Sequence, residues 1–450
     1  MPVVELREWE RIGAHSHIRG LGLDERGKAR HVGDGMVGQE EAREAAGVVV
    51  DMIKEGRFAG QAILIAGPPG SGKSALAIAI ARELGEDVPV VMLTGSEIYS
   101  AEVSKTEFLT QALRKAIGVR IREMRKVYEG KVTEVKIEYT THPLNPYMRV
   151  PSEAKLTLET RDERKSLKAD QEYAIQLVQL GVEEGDVIQI DTDSGRIVKL
   201  GRAKGEGAGF DLEARGREVE VPSGPVAKEK EFVYTLTLHE LDVMRARAGV
   251  DLASIIFGLQ ERREISPEIR ARVDREVREL IKQGKAEFVP GVMFIDEASM
   301  LDIETFAFLN RAIEQELSPI IIFATNRGIT RVRGTDMRTP HGMPLDLLDR
   351  LLVILTRKYN AEEIRKILEI RAEKEKIDLK NEALDALVDA GVQYSLRYAA
   401  QLLIPSWILA RKRGSSIVEK EDVERAKKLF ANVKRSAEYL ESMKGEMIAE

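Results

Sequence analysis

Eight consecutive residues have the types and spacing to cradle a phosphate chain: Gly67-Pro68-Pro69-Gly70-Ser71-Gly72-Lys73-Ser74, with Ala75 next in the chain. The glycines let successive backbone N–H groups turn inward on an anion, and a helix start behind them adds partial positive charge. Lys73 would reach the β- and γ-phosphates of a nucleotide, and the Ser74 hydroxyl would sit on Mg²⁺. The apolar run Ala62-Ile63-Leu64-Ile65-Ala66 precedes the loop, and an Ala/Leu/Ile-rich helix comes after it. Strand, loop, lysine and helix together separate this segment from a chance glycine-rich turn.

Two more apolar runs end in reactive side chains. Gly291-Val292-Met293-Phe294-Ile295 delivers Asp296 and Glu297. Asp296 would hold Mg²⁺ through water, opposite Ser74, which leaves Glu297 free to polarise an attacking water. Pro319 through Ala324 runs into Thr325-Asn326-Arg327. Asn326 would orient that water, although an asparagine there serves equally as a turn residue. Phosphoryl transfer is mostly positioning and charge stabilisation, so further cations belong near the phosphates. Arg350, in Leu347-Leu348-Asp349-Arg350, and Arg397, in Ser395-Leu396-Arg397-Tyr398, are the candidates. Each also reads as an ordinary helix-surface ion pair.

Such groups need a sheet to hold them, because open α/β sheets bind ligands beyond the carboxyl ends of their strands. The pattern predicts helices at 40–57 and 74–84, a strand at 88–93 and one long amphipathic helix at 104–127. After that the texture changes. Thr133, Val135, Ile137 and Tyr139 alternate with Glu134, Lys136 and Glu138, and Leu156/Leu158, Ile188/Ile190 and Phe232/Tyr234/Leu236 repeat the period of two. Short half-buried strands between Gly/Pro turns predict a small OB-like β-barrel inserted into the α/β frame. The expected fold class is therefore α/β. It has a nucleotide-binding core at 1–121 and 291–360, an insertion at 122–290, and a helical lid at 361–450.

Composition bounds the rest. A chain of 450 residues with 43% hydrophobic content fills several cores. It has no cysteine, which excludes a disulfide framework, a thiolate metal site and a Cys nucleophile. No run approaches bilayer-spanning length and no membrane partner is expected, so the cytoplasm is the expected compartment. Charged residues reach 32% with net charge −6. That balance suits a thermophile's ion-pair networks, and it means nucleic acid must be met by a local basic patch rather than a global field.

In sequence order, the phosphate loop, Asp296-Glu297, Asn326, Leu347-Leu348-Asp349-Arg350 and Arg397 resemble the AAA+ ATPases. Within them the chain is similar to the RuvB-like proteins, the pontin/reptin group. The segments carrying this are His15-Ser16-His17-Ile18-Arg19-Gly20-Leu21-Gly22, Gly35-Met36-Val37-Gly38-Gln39, Phe294 through Glu304, and Pro340-His341-Gly342-Met343-Pro344-Leu345-Asp346. The resemblance implies ATP/ADP and Mg²⁺ as cofactors and a homo-hexameric ring, in some members stacked as a double ring. It further implies Arg350 as an arginine finger acting on a neighbouring subunit's nucleotide, and Arg397 as a second sensor of the γ-phosphate. Gly38 would lie at the adenine, His15 and His17 near the nucleotide, and Tyr359 against the base. The chain departs from the family pattern at Ser71 and Ser74, where threonine is usual, and at Ala298-Ser299, where Val-His is usual.

Two functions then compete. One is an ATP-driven DNA helicase or motor. The other is an ATP-regulated assembly ring whose insertion binds protein or ribonucleoprotein clients. Single-stranded DNA or RNA would meet the insertion at Arg161, Arg164, Lys165 and Lys168, or at Lys199, Arg202 and Lys204. Against that, the chain is only 5% aromatic, which leaves few stacking platforms for bases. A third reading, a P-loop kinase, lacks any visible acceptor site.

Overall fold

A computed structural model describes residues 17–58, 60–85, 87–99, 103–142, 145–192, 194–204, 218–248 and 265–442. His15 lies outside the described residues. The chain divides into two compact units. One holds the described residues through Val119, those within Leu236–Glu279, and those from Phe288 onward; the other holds Arg120–Thr235 and Leu280–Glu287.

The first unit is built on a five-stranded parallel sheet in the order Leu351–Leu355, Ala62–Ala66, Ile320–Thr325, Val292–Asp296, Val90–Thr94. The three inner strands read as unbroken apolar runs because both faces are covered, whereas Val90, Met92, Val353 and Leu355 on the edge strands stay exposed. Ile63, Ile65, Phe294 and Ile322 enter one core, while Leu64, Met293, Ile295 and Phe323 enter the other. Parallel register fixes the consequence for chemistry. Ala66 pairs with Thr325 and with Leu355, and Ile295 pairs with Phe323, so all the strands end on one edge.

Four helices, Ala361–Lys374, Asn381–Gln393, Leu396–Lys412 and Lys420–Leu429, pack around Leu368, Leu387, Leu403 and Val423 to form the lid. Among the described residues no helix is long and apolar enough to cross a membrane.

The expectation of a single helix over 104–127 is corrected. The helix is Lys105–Lys115, with Ser104 accepting from the Glu107 N–H at 3.3 Å, and a strand runs from Ile117 to His142. Ile117, Val119 and Ile121 are β-branched at alternate positions. They favour the pleated backbone once the helix has ended.

The insertion is also narrower than 122–290. The described residues within 236–279 belong to the first unit. The cause is a buried ionic lattice: Arg114 donates to Asp242 at 2.7 Å and to Asp274 at 2.8 Å, and Arg270 donates to Glu107 at 3.0 Å.

The second unit is a sheet in the order Glu218–Val219, Ile197–Ala203, Asp186–Asp191, Ile117–His142, Asn145–Glu159, Arg164–Ala169, antiparallel except at its first pair. Ala227–Thr237 also pairs with the long strand. Val132, Leu156, Leu158, Ile188 and Ile190 form its core with Leu177, from a helix at Gln171–Gln179 that the sequence pattern did not predict.

Candidate active site

The carboxyl edge of the parallel sheet and the lid enclose a cavity of about 420 Å³. Three strand ends supply its polar floor. After Ala66 the phosphate loop contributes Pro69, Gly70, Gly72, Lys73, Ser74 and Ala75; after Ile295 come Asp296 and Glu297; after Thr325 comes Asn326. The lid adds Arg397, and the linker before the lid adds Tyr359. Most of the residues singled out by type and spacing therefore converge, although more than two hundred positions separate Ser74 from Asp296.

Lys73 Nζ donates to the Gly67 and Pro68 carbonyls at 3.0 and 2.9 Å. Burial pulls its ammonium below the usual value; the Asp296 carboxylate opposes that shift and Arg397 adds to it. Lys73 is thus a desolvated cation, and a phosphate chain would be its strongest available partner. Ser74 Oγ lies 3.5 Å from Asp296 Oδ2. A hydroxyl and a carboxylate side by side are hard oxygen donors, the set that suits Mg²⁺ shared with substrate phosphates. Asp296 Oδ1 also accepts from the Glu297 N–H at 2.9 Å. Glu297 adopts a left-handed backbone, φ 52°, an uncommon conformation that costs roughly 1–2 kcal/mol for a non-glycine residue. It is exposed and faces the same cavity.

Gly72 needs its φ of 87° to open the helix after the loop, and a Cβ there would collide with the Tyr359 hydroxyl. Tyr359 therefore packs directly on the phosphate loop. Burial, helped by the Glu363 charge, pushes its phenol up to about 12. Ile18, Met36, Val37, Ile367, Leu396 and Ala400 also line the cavity, as does Tyr359, and give it an apolar wall. An apolar wall in the same cavity as a phosphate cradle has the polarity that a nucleotide's base requires. His17 lines the cavity as well.

Several expected residues sit elsewhere. Gly38 is beside the cavity, not in it: its φ is 60°, and a Cβ would strike the Glu363 carboxylate. Gly67, Pro68 and Ser71 are loop residues that do not line the cavity. Ser71 Oγ is tied to Thr356 Oγ1 at 2.6 Å and donates to the Pro68 carbonyl at 2.8 Å, so its hydroxyl braces the loop against the neighbouring strand end. Arg350 is outside the cavity and forms an ion pair with Glu314, both side chains well exposed.

Arg371 and Gln401 line the lid wall and were missed. The available signal was helical spacing, four residues after Ile367 and four after Arg397, which places each pair on one face. His31, Glu40 and Glu363 bring ligand atoms within 4.8 Å of one another. Arg357 already serves as their cation, reaching Glu363 at 2.6 Å and Glu40 at 3.3 Å.

Known proteins resemble this chain over nearly its whole length. Residues 11–362 match the TIP49 P-loop domain, and residues 367–432 match the TIP49 AAA-lid domain. The chain is 46% identical over 440 residues to RuvB-like helicase 1 of Schizosaccharomyces pombe, covering 97% of this chain and 96% of the relative. It is 48% identical over 437 residues to RuvB-like helicase 1 of Eremothecium gossypii, covering 96% and 95%.

Proposed function

We infer the function from one premise: this chain belongs to the TIP49 family of RuvB-like P-loop ATPases. It is an ATP-hydrolysing AAA+ enzyme of the helicase type. The observation that carries the mechanism is the convergence of Lys73, Ser74, Asp296, Glu297, Asn326 and Arg397 on one cavity roofed by the lid.

Lys73 and the loop N–H groups bind the β- and γ-phosphates. Ser74 and Asp296 would hold Mg²⁺, which when bound neutralises charge on the phosphates. Glu297 takes the proton of the attacking water, and Asn326 orients that water. Arg397 binds γ-phosphate from the lid side. The apolar wall that includes Tyr359 takes adenine.

Arg350 serves a neighbouring subunit. Its surface position and exposed partner support this, because an ion pair of that exposure contributes about 0–1 kcal/mol and is readily exchanged for a phosphate. A contact in which one face reaches a different face of the next copy closes into a ring when its rotation divides a full turn. We read that ring as a homo-hexamer, single or stacked in pairs, hydrolysing ATP to ADP to drive strand separation. The insertion is read as its OB-like client domain.

The second reading, an ATP-regulated assembly ring, is favoured by one observation. Several of the insertion's basic groups are already engaged, Arg161 and Lys204 with Glu220 and Lys199 with Asp186. Purified protein assayed for ATPase rate and strand displacement, with and without single-stranded DNA, separates the two. DNA stimulation and displacement, both absent in Glu297→Gln, support the motor; neither effect supports the assembly ring.

A further inference from the structure

Immediately after Asn326 the chain forms a two-stranded hairpin, Ile329–Arg331 against Arg338–Pro340. Residues 327–341 hold four arginines and one histidine against a single acid, Asp336, in a chain whose net charge is −6. The register places Arg331 directly opposite Arg338, and Ile329 opposite Pro340. Like charges facing each other across a ladder are destabilising, and little nearby offsets them. Among the described residues, Arg331 pairs with the fully exposed Asp336, at 3.6 Å. No ion-pair partner of Arg338 is found among the described residues.

The two faces differ in kind. Thr339 and the adjoining Val332 are buried, and Val332 belongs to the core of the unit. Arg333 pins the hairpin down, stacking 4.4 Å over the Tyr99 ring and donating to the Met300 carbonyl at 2.9 Å. The outer face carries Ile329, 73% exposed, with Arg331, Arg338 and Pro340, all exposed. The ribbon thus presents two exposed guanidinium groups, Arg331 held loosely by Asp336 and Arg338 without an ion-pair partner among the described residues, bordered by two apolar side chains.

The insertion's outer sheet face is different. There Lys136, Lys155 and Lys168 pair in register across three strands but alternate with Glu134, Glu138 and Glu153. Lys136 is 2.5 Å from Glu134.

We propose that the outer face of the Ile329–Arg331/Arg338–Pro340 hairpin is a nucleic-acid-binding site, with Arg331 and Arg338 gripping consecutive phosphates. Arginine suits this because its guanidinium binds phosphate oxygens bidentately. Exposed Ile and Pro beside it favour nucleic acid over an acidic peptide, since such side chains wedge against bases.

The hairpin is also wired to hydrolysis. Its root is closed where Asn326 ends: the His341 N–H donates to the Gly328 carbonyl at 2.8 Å, and the Arg327 N–H donates to Thr325 Oγ1 at 3.1 Å. These bonds tie the base of the hairpin to the segment that carries Asn326.

The inference rests on the motor reading, and the test separates the two. Binding of a fluorescent oligothymidine is measured across a salt series for wild type, Arg331→Ala/Arg338→Ala, Arg331→Lys/Arg338→Lys, and Arg164→Ala/Lys168→Ala. The hairpin alanine pair is expected to lose at least about 10-fold in affinity near 0.1 M salt. The slope of log K against log salt falls by about 1.4, the value for two phosphates on a single strand. Basal ATPase without DNA is unchanged and its DNA stimulation is lost, while the insertion pair keeps most of the affinity and the lysine pair keeps the salt slope but loses part of the affinity. Equal affinity and slope in wild type and the hairpin alanine pair overturn the site alone. No binding by wild type overturns the motor reading with it. Polyglutamate that displaces the oligonucleotide as well as DNA does, at equal charge, overturns the assignment to nucleic acid.

Discussion

Gln39 grips the backbone of Arg357 with both ends of its amide. Nε2 donates to the Arg357 carbonyl at 2.6 Å, and Oε1 accepts from its N–H at 3.1 Å. Gln39 itself takes a left-handed backbone, φ 54°, at the start of the helix Glu40–Lys54. This clasp joins the segment beside the apolar wall of the cavity to the linker that carries Tyr359 and then the lid. Replacing Gln39 by Ala leaves that backbone unpaired in a half-buried place. Nucleotide affinity is expected to fall about 5–10-fold, equivalent to 1–1.4 kcal/mol, with no loss of secondary structure; isothermal titration and circular dichroism check the two halves.

Glu297→Gln keeps the shape of the site and removes the base. Turnover should fall by about 10²–10⁴ while ATP stays bound. Lys73→Ala, in contrast, should abolish detectable nucleotide binding. A single-turnover assay on the trapped complex distinguishes them, and brisk hydrolysis by the glutamine variant would remove Glu297 from its role.

Arg350→Ala should bind ATP normally yet lose about 10³-fold or more in rate. Mixing it with Lys73→Ala protein is the decisive measurement. If the finger acts across a subunit boundary, mixed rings regain part of the activity that each parent lacks; no recovery at any ratio makes Arg350 a local ion pair with Glu314.

Tyr359 provides a pH signature. Its phenol is raised from 10.0 to about 12 in the folded chain. The protonated form is therefore favoured by folding, and its contribution is complete below pH 10 and lost as pH rises through 12. A displacement of that size corresponds to roughly 3 kcal/mol. Tyr359→Phe should lose less stability than wild type between pH 10 and 12, read by denaturant melts; parallel curves would contradict the burial assigned to this hydroxyl.

Arg43 has no exposed surface, and its guanidinium donates to the carbonyls of Leu21 at 2.7 Å, Arg30 at 2.6 Å, Gly22 at 2.8 Å and Gly38 at 3.1 Å. Arg43→Met would leave those acceptors buried and unpaired at about 1–3 kcal/mol each. The first thermal transition should drop by at least about 10 °C, with the region around His17 and Val37 gaining the most hydrogen exchange.

Much of this was legible in the chain because the site is made of strand ends. An apolar run followed by Gly67 to Ser74, or by Asp296-Glu297, encodes both the element and the group it delivers. The lid wall was not legible. Ile367, Arg371, Leu396 and Gln401 meet the phosphate loop only through tertiary packing, and a helix face does not name its neighbour. The helix expected to run to 127 failed for a related reason. Arg114 and Lys115 favour helix, but the chain turns at Ala116, where buried Ile117 and Val119 pack in pleated form. Arg350 was recognisable by type, whereas the nucleotide it would serve belongs to another copy.

One carboxylate governs how the lid is hung. Glu363 accepts from Arg357 at 2.6 and 2.9 Å and from the Asn360 N–H at 2.8 Å, while its own N–H donates to Asn360 Oδ1 at 2.8 Å. The pivot and the first turn of the helix Ala361–Lys374 are therefore the same piece of chemistry. A swing of that helix must turn about Glu363 like a door on its pin. Any modification that loosens the pin also frays the door's leading edge, so stiffness at this joint and integrity of the helix are inherited together.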